Sequence, residues 1–449
     1  MNHSPSNKSG HIHVNGPRGL SPIALLLLTS IYVLAFVDRQ IVNILAEQIK
    51  EDLSLSDWQV GILAGPAFAI PYMLATLPMA RLSDRVNRVR ILSAVIAVWS
   101  CCTALSGFAG SYLVIVFGRV GVGASEAGCV PAAHSLISDL TPREQRARAL
   151  AIFSTGLPLG SLIGLAAGGV MAHHFGWRSA FLLVALPGIA LAALLLVTLR
   201  DPRPAFRSIS AANGAGAEAE LPSLAGTLRN LWATPSFAWM TCGASLLALA
   251  GYSHAAFFAS FFMRNHSAEL DALSRSTYMG GALAFLGLAL GLAIGISGAA
   301  GTTLGGFLGD RFAARNFKGY MKVPTFATLL GTPLTLAALI VPNAALAIGL
   351  LAGASLLKSM WYGPVFATIQ GLVPPRSRAT SVSVFLLVMN GVGLGLGPPL
   401  LGFLSDWLGT MFPAPEALRI AMIALTSLVF LAAGCFALAG RALPVKAVS

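Results

Sequence analysis

The sequence is poor in charged residues. Only 10% of its 449 residues are Asp, Glu, Lys or Arg, whereas 56% are hydrophobic and the mean hydropathy is +0.76. Soluble domains carry about 25% charged residues, so this composition excludes an ordinary soluble protein and predicts that most of the surface faces lipid. The protein is therefore expected to be an integral membrane protein.

Cysteine is scarce as well, and acidic residues are outnumbered by basic ones. The five cysteines lie inside apolar segments and lack metal-ligand spacing, which argues against a disulfide framework and predicts no metal site. The formal net charge is +12. No continuous basic stripe with interleaved aromatic residues traces a phosphate backbone, so nucleic acid is not an expected partner. Basic residues scattered over short loops fit membrane topology instead.

Apolar segments long enough to cross a bilayer recur along the chain. A hydrocarbon core of about 30 Å needs about 20 helical residues, and this criterion predicts twelve spans in an all-α polytopic fold. Residues 1–20 are polar and lack the apolar core of a secretory signal, so they are predicted to be a disordered tail. The predicted spans are 21–47, 58–81, 91–109, 112–140, 149–172, 178–199, 236–263, 277–308, 322–341, 344–372, 380–404 and 418–440.

Basic residues predict the orientation of these spans. An even number of spans puts both termini on one side, and most Lys and Arg residues fall in the loops of that side. The other side holds only a few. The positive-inside rule therefore predicts that both termini are cytoplasmic, in the plasma (inner) membrane. The basic residues of the other side are Lys50, Arg178, Arg264, Arg275 and Arg419.

The chain contains an internal repeat. An Asp-Arg pair enters a basic turn both in "ARLSDRVNRVR" (80–90) and in "GGFLGDRFAAR" (305–315), and Pro131 is echoed by Pro364. The two shifts, 226 and 233 residues, relate one set of six spans to the other. The predicted domains are two pseudo-symmetric six-helix bundles, a flexible linker and short tails. Their bounds are 1–20, 21–200, 201–232, 233–441 and 442–449.

Repeat, topology and motif together resemble the major facilitator superfamily. The turns after the second and eighth spans carry this resemblance, with "GRVGVGASEAG" (118–128) in the fourth span. Within that superfamily, "FVDRQIVNILAEQIKEDLSLSDWQVGIL" (36–63) and "GVGASEAGCVPAAHSLISD" (121–139) are similar to the Spinster-type lipid transporters and their bacterial relatives. The resemblance implies a monomeric secondary transporter that needs no cofactor.

The Asp-Arg turns depart from the superfamily pattern because Ala80 and Asn87 replace the two usual glycines of the first turn. The resemblance implies that charges in these turns latch the two halves together on the cytoplasmic side. Plain topology signalling explains the same charges equally well. The predicted gate residues are Asp84, Arg85, Arg88, Asp310 and Arg311.

Ionisable residues also lie within four of the spans, the first, fourth, seventh and tenth, which line the central cavity in the resembling family. A charge at mid-bilayer costs about 2.5 to 3.5 kcal/mol on insertion scales, so such residues are expected to face a wet cavity or one another. They predict a functional site, although a static pair that pins two helices is the alternative for Asp38 and Arg39. The six residues are Asp38, Arg39, Arg119, Glu126, His254 and Lys358.

Helical spacing predicts partners for these charges. Arg119 and Glu126 are two turns apart on one helix face, with depths that differ by about 10 Å. Arg119 and Asp38 come out at similar depth, which predicts an ion pair between the first and fourth spans. The repeat places Lys358 at the level of Glu126, so these two are expected to face each other or to share a substrate.

The predicted function is proton-coupled transport by alternating access. Protonation of Asp38 or Glu126 would weaken its hold on a neighbouring Arg and free that Arg for an anionic substrate. Arg39, Arg119 and Lys358 are predicted to bind the anionic group of a lysophospholipid or sphingoid-phosphate-like lipid.

The apolar part of such a substrate needs a slot. Trp361 and Tyr362 beside Lys358 are candidates, as are the phenylalanines of "HAAFFASFFM" (254–263), which equally fit core packing. His254 is either a further binding residue or a structural hydrogen-bonding group.

Two other transport functions remain open at this point: a proton-linked carrier of small organic anions and a multidrug/proton antiporter. A non-transporting receptor is a third possibility. An enzyme is not expected, because no catalytic arrangement stands out and "GVGLGLG" (391–397) lies in a membrane span without the strand that a dinucleotide site requires.

Overall fold

The structure is a computed structural model whose described part is helical and contains no β-strand. The predicted tail 1–20, residues 202–228 of the predicted linker and the last five residues lie outside the described residues. Side chains at 84, 143, 144, 147 and 379 are also outside them. The described residues are 21–199, 201, 229–278, 280–314, 316–374 and 377–444.

The first half of the chain forms a bundle of helices. Ser21 caps the first helix through its hydroxyl, and Pro22 fits the first helical position, where no backbone N–H is needed. The helices are α1 (Pro22–Asp52), α2 (Asp57–Ala64), α3 (Pro66–Arg85), α4 (Arg88–Gly107), α5 (Tyr112–Glu126), α6 (Cys129–Leu140), α7 (Arg143–Ser154) and α8 (Gly156–Thr198).

The second half forms a matching bundle. A single π-helical turn, Leu292–Ile296, interrupts its second long span, and a 3₁₀ turn, Phe317–Met321, precedes the third. The helices are α9 (Pro235–Asn265), α10 (Ser267–Ser276), α11 (Ala282–Gly291), α12 (Ser297–Ala313), α13 (Lys322–Ile340), α14 (Ala344–Ser359), α15 (Tyr362–Leu372), α16 (Arg378–Leu408) and α17 (Ala414–Ala442).

The helices of the described residues make twelve membrane crossings. Eleven stretches are long and apolar enough to span a bilayer, and one of them, Arg148–Thr198, has 51 residues. At 1.5 Å per residue this stretch is more than twice as long as a membrane is thick. Gly176, at φ 77°, interrupts its helical backbone and divides it into two crossings. Leu74 and Val197 are 73% and 85% exposed, as expected for side chains that face lipid.

The fourth and tenth spans are broken at equivalent places. α5 ends at Glu126 and α6 begins at Cys129, whereas α14 ends at Ser359 and α15 begins at Tyr362. A proline follows each break, Pro131 and Pro364, and proline cannot donate to the carbonyl four residues before it. The shift of 233 residues seen in the sequence is therefore also a structural repeat, and each break lies beside a predicted charge.

Glycines let the two halves approach closely. A Cβ added at Gly61 or Gly65 of the second span would collide with the backbone of α16, and one at Gly287 of α11 would collide with the carbonyl of Leu165 on α8. These contacts form two seams, α2 with α16 and α8 with α11, and α1 packs on α9 between them. Small residues at such interfaces allow backbone contact.

Two faces of the molecule are named from the chain ends. The terminal face holds the start of α1 and the end of α17. The distal face holds the other end of each span, including the end of α1, the start of α2 and the ends of α9 and α16. The glycine contacts of both seams lie in the distal halves of these helices.

Candidate functional site

Asp38 and Arg119 form an ion pair between α1 and α5. The Arg119 Nη1 atom is 3.2 Å from the Asp38 Oδ2 atom, and Thr103 of α4 donates a hydrogen bond to the other carboxylate oxygen. Arg119 also donates to the carbonyl of Leu63 across 3.4 Å. The predicted pair between the first and fourth spans is thus confirmed, and a third helix supports it.

Arg39 and Glu126 form a second ion pair beside the first. The Arg39 Nε and Nη2 atoms lie 2.9 and 2.5 Å from Glu126 Oε1. The guanidinium also lies 4.6 to 5.1 Å from the ring centres of Phe36, Phe68 and Tyr72. Arginine interacts favourably with aromatic faces at this range. The other oxygen, Glu126 Oε2, is buried and has no hydrogen-bond partner among the described residues.

These four residues, the charged cluster, differ in accessibility. The side chains of Asp38, Arg119 and Glu126 are only 2 to 3% exposed, whereas Arg39 keeps 24%. The formal charges of the two carboxylates and the two guanidinium groups sum to zero. Arg39 is therefore the member that an entering ligand reaches first, at the edge of a neutral, desolvated set of charges.

Glu126 does not pair with Lys358 in this conformation. Lys358 lies in the last turn of α14, is half-buried and has no ion-pair or hydrogen-bond partner within the described part of the chain. Glu126 pairs instead with Arg39 of α1 in its own half. That Glu126 and Lys358 face each other across a cavity or share a substrate stays a prediction.

Two tyrosines of the second half lie on the seventh and tenth spans, Tyr252 on α9 and Tyr362 on α15. Tyr252 donates a hydrogen bond to Asn390 Oδ1 across 3.1 Å. Tyr362 is 38% exposed, whereas Trp361, stacked on it at 4.1 Å, is 4% exposed and belongs to the core of its half. Tyr362 is thus accessible, and Trp361 supports it.

His254 and the phenylalanines beside it are buried. His254 Nε2 lies 3.1 Å from Thr426 Oγ1 and 3.3 Å from the Met422 carbonyl, both on α17. Phe257, Phe258, Phe261 and Phe262 are at most 9% exposed. Burial in a hydrophobic core cluster that contains residues of both halves explains this stripe, so the structure does not support a lipid slot there. The same contacts give His254 a structural role and leave its binding role without support.

Ion pairs join the two halves at the distal face. Arg264, at the end of α9, pairs with Glu47 at 2.7 Å and with Asp57 at 2.7 Å. Lys50 pairs with Asp57 at 2.6 Å. From the second half, Asp406 accepts hydrogen bonds from the backbone N–H groups of Asp57 and Trp58, at the start of α2. We call this set, Glu47, Lys50, Asp57, Arg264 and Asp406, the distal latch.

The predicted gate residues whose side chains the structure describes do not form such a latch at the terminal face in this conformation. Arg88 is fully buried and pairs with Asp201 at 2.8 Å and with Asp139 at 2.6 Å, all within the first half. Arg85, Asp310 and Arg311 are exposed, and Asp310 accepts a hydrogen bond from Tyr320 of its own half. The side chain of Asp84 lies outside the described residues. Arg88 therefore stabilises its own bundle here and does not cross between the halves.

Comparison with known proteins identifies the family. A family model of the Major Facilitator Superfamily matches residues 28–398. The chain is a member of this superfamily. It is 32% identical to an MFS-type efflux pump of Mycolicibacterium smegmatis over 96% of this chain and 94% of that protein. It is 27% identical to protein spinster homolog 1 of Mus musculus over 88% of this chain and 75% of that protein.

Solved structures agree with this assignment. The chain is similar to a crystal structure of a bacterial homologue of the human lysosomal transporter Spinster in an inward-facing, unoccupied conformation. The TM-score is 0.81 and the identity 29%, over 95% of this chain and 98% of that one. The occupied inward-facing form of such a homologue gives a TM-score of 0.79. The protein is an integral, multi-pass transporter of the Spinster type and not an enzyme.

Several residues of this transporter site were missed at the sequence level. Phe68 and Tyr72, which contact Arg39, are uncharged, so the pattern of buried charges does not reveal them. The distal latch was missed because four of its members lie in predicted loops and Glu47 lies at the very end of the first predicted span. Arg264 still carried a signal, since it is one of few basic residues on the side that the positive-inside rule leaves poor in them.

Proposed function

We propose that the protein transports an amphipathic anion, such as a lysophospholipid or a sphingoid-phosphate-like lipid, by proton-coupled alternating access. The observation that carries this proposal is the position of Arg39. It is the accessible member of the charged cluster and lies against three aromatic rings, with Tyr362 exposed on the other half. A cation flanked by aromatic surface suits a ligand with one anionic group and an apolar body.

Charge balance supports proton coupling. The cluster is formally neutral while both carboxylates are ionised. Protonation of Glu126 weakens its hold on Arg39 and leaves one positive charge in excess, which an anionic substrate group neutralises. Glu126 Oε2 has no partner among the described residues and is a place for the proton. Asp38 has the same role in principle, but Thr103 and Arg119 already occupy both of its oxygens.

A pH gradient can drive this transport, because the proton and a singly charged anion cross together without net charge. A tenfold difference in proton concentration across the membrane is worth about 1.4 kcal/mol. Arg119 and Lys358 are proposed to assist Arg39. Arg119 holds Asp38 in place, and Lys358 approaches the substrate from the second half.

The distal latch supports alternating access. It holds the distal face closed, whereas the described gate residues of the terminal face form no ion pair between the halves. With the terminal face in the cytoplasm of the plasma membrane, as the basic loops predict, this arrangement is the inward-facing state. In the opposite state Asp84, Arg85, Asp310 and Arg311 are proposed to latch the terminal face. One chain contains both halves, so the monomer is the proposed working unit.

Two alternatives have their own support. Efflux of another substrate is favoured by the M. smegmatis relative, which is named an efflux pump. A small organic anion is favoured by a probable galactarate/D-glucarate transporter of Bacillus subtilis, 31% identical over 40% of this chain. Such an anion needs Arg39 but not the aromatic surface.

Binding of candidate substrates separates these possibilities. Thermal-shift titration of the purified protein should give stabilisation by lysophosphatidic acid or sphingosine 1-phosphate and none by dicarboxylates. The Arg39→Gln variant should lose the effect. Stabilisation by dicarboxylates alone would contradict the lipid-like substrate, and no binding of either class would favour a different efflux cargo.

A further inference from the structure

A cavity of about 510 Å³ opens on the distal face, away from the charged cluster. Gln48 and His173 line it from the first half. Asp271 and Arg275 of α10, together with Tyr278, line it from the second half. Its volume exceeds the few tens of Å³ that a single water molecule fills, so it accommodates a small organic ligand.

The chemistry of the lining is mixed. Asp271 and Arg275 are exposed, and neither has a hydrogen-bond or ion-pair partner within the described residues. They lie four residues apart on one helix face, at about 6 Å, and would normally pair with each other. One free acid and one free base give no preference for a net cation or anion, but they complement a ligand that carries both charges.

Two further features point to an occupant. The side-chain carbonyl oxygen of Gln48 is buried and lacks a hydrogen-bond partner among the described residues. A ligand group that donates a hydrogen bond to this oxygen would offset the free-energy cost of burying it. Tyr278 is 96% exposed and has φ 56°, a left-handed conformation that is strained for a residue other than glycine. Its ring is available to an ammonium group.

We propose that this cavity binds a small zwitterion that joins an ammonium to a phosphate, as in a phosphoethanolamine headgroup. Asp271, Tyr278 and the Gln48 carbonyl take the ammonium end, and Arg275 with His173 takes the phosphate.

The cavity adjoins the distal latch. Gln48 follows Glu47 in sequence, and Met263, which also lines the cavity, precedes Arg264. Because both halves line the cavity, separating them at the distal face dismantles it. A ligand that binds only the assembled cavity stabilises the closed distal face by its own binding energy. This regulatory consequence rests on the proposed alternating access, whereas binding itself does not.

Calorimetric titration of the detergent-purified protein with sn-glycero-3-phosphoethanolamine tests the site. We expect binding at least tenfold tighter than that of sn-glycerol 3-phosphate or ethanolamine, each of which carries charge of one sign only. Asp271→Asn and Arg275→Gln should each weaken binding at least tenfold. Glu51→Gln, an exposed carboxylate of the same face outside the cavity, should leave it unchanged. No binding, or binding that both cavity variants retain, would overturn the site.

Hydrogen–deuterium exchange tests the link to the latch. The probe should slow exchange in peptides that cover residues 44–57 and 258–283, and Asp271→Asn should abolish this protection. Binding without protection would overturn the regulatory role. If the proposed transport function is wrong, transport assays show it, whereas the calorimetric titration still measures binding to the cavity.

A competition experiment with the protein in nanodiscs identifies the source of the zwitterion. Lysophosphatidylethanolamine should lower the apparent affinity for the free probe if a lipid headgroup occupies the cavity. Unchanged affinity identifies a free zwitterion as the occupant.

Discussion

Arg264 and Asp57 join the two halves of the protein, with the Arg264 Nη2 atom 2.7 Å from the Asp57 Oδ1 atom. Arg264 ends the seventh span and Asp57 begins the second, and both side chains are less than 10% exposed. Removing one member of a buried, hydrogen-bonded pair leaves the other charge uncompensated. This contact is therefore a main support of the closed distal face.

Arg264→Gln is expected to open the distal face. Double electron–electron resonance between spin labels at Glu51 and Thr410, in a chain whose exposed Cys101 and Cys242 are replaced by serine, should show longer distances in the variant. Arg419→Gln is the matched control, because Arg419 pairs with Glu416 on the same face but within one half. Identical distance distributions in Arg264→Gln and the parent chain would contradict the latch.

Arg88→Gln is expected to destabilise the protein. Its guanidinium is fully buried and compensates Asp201, which is 1% exposed, so its loss should cost about 3 to 5 kcal/mol. Thermal unfolding followed by tryptophan fluorescence should show a lower Tm. Arg85→Gln, an exposed neighbour of the same turn, should change Tm little. Equal Tm values for both variants would show that the buried network contributes nothing.

Sequence patterns predicted the spans and one contact of the site. Hydrophobic length located the twelve crossings, and similar depth in the first and fourth spans gave the Asp38 and Arg119 pair, because both signals depend only on position along a helix. The partner of Glu126 depends on how α5 rotates against α1, which no local pattern records. The distal latch joins residues from four helices of two halves, and its closure is proposed to belong to one conformational state. Tertiary packing decides such features.

Gly287→Ala is expected to impair closure of the α8 and α11 seam. The new methyl group meets the backbone carbonyl of Leu165, which cannot move as a side chain can, and overpacking of this kind costs about 1 to 3 kcal/mol. Transport into proteoliposomes should fall, and the same spin-label pair should report a wider distal face. Gly251→Ala provides the control, since no atom lies near its added Cβ. Normal transport by Gly287→Ala would show that the seam tolerates separation.

Arg39→Lys is expected to weaken substrate binding while the fold is kept. Lysine retains the charge but loses the planar group that pairs with Glu126 and contacts three rings. Affinity for a lysophospholipid, measured by thermal-shift titration, should fall at least tenfold. Arg311→Lys, at an exposed position of the terminal face, should bind normally. If Arg39→Lys binds as tightly as the parent, charge alone is sufficient and the aromatic contacts have no binding role.

The most direct test of proton coupling is substrate-driven proton movement in proteoliposomes that enclose a pH-sensitive dye. Addition of a lysophospholipid to the parent protein should change the internal pH, and Glu51→Gln should behave in the same way. Glu126→Gln cannot exchange a proton at the position that pairs with Arg39, so we expect substrate binding without a pH change. A full, pH-dependent proton signal from Glu126→Gln would contradict the account.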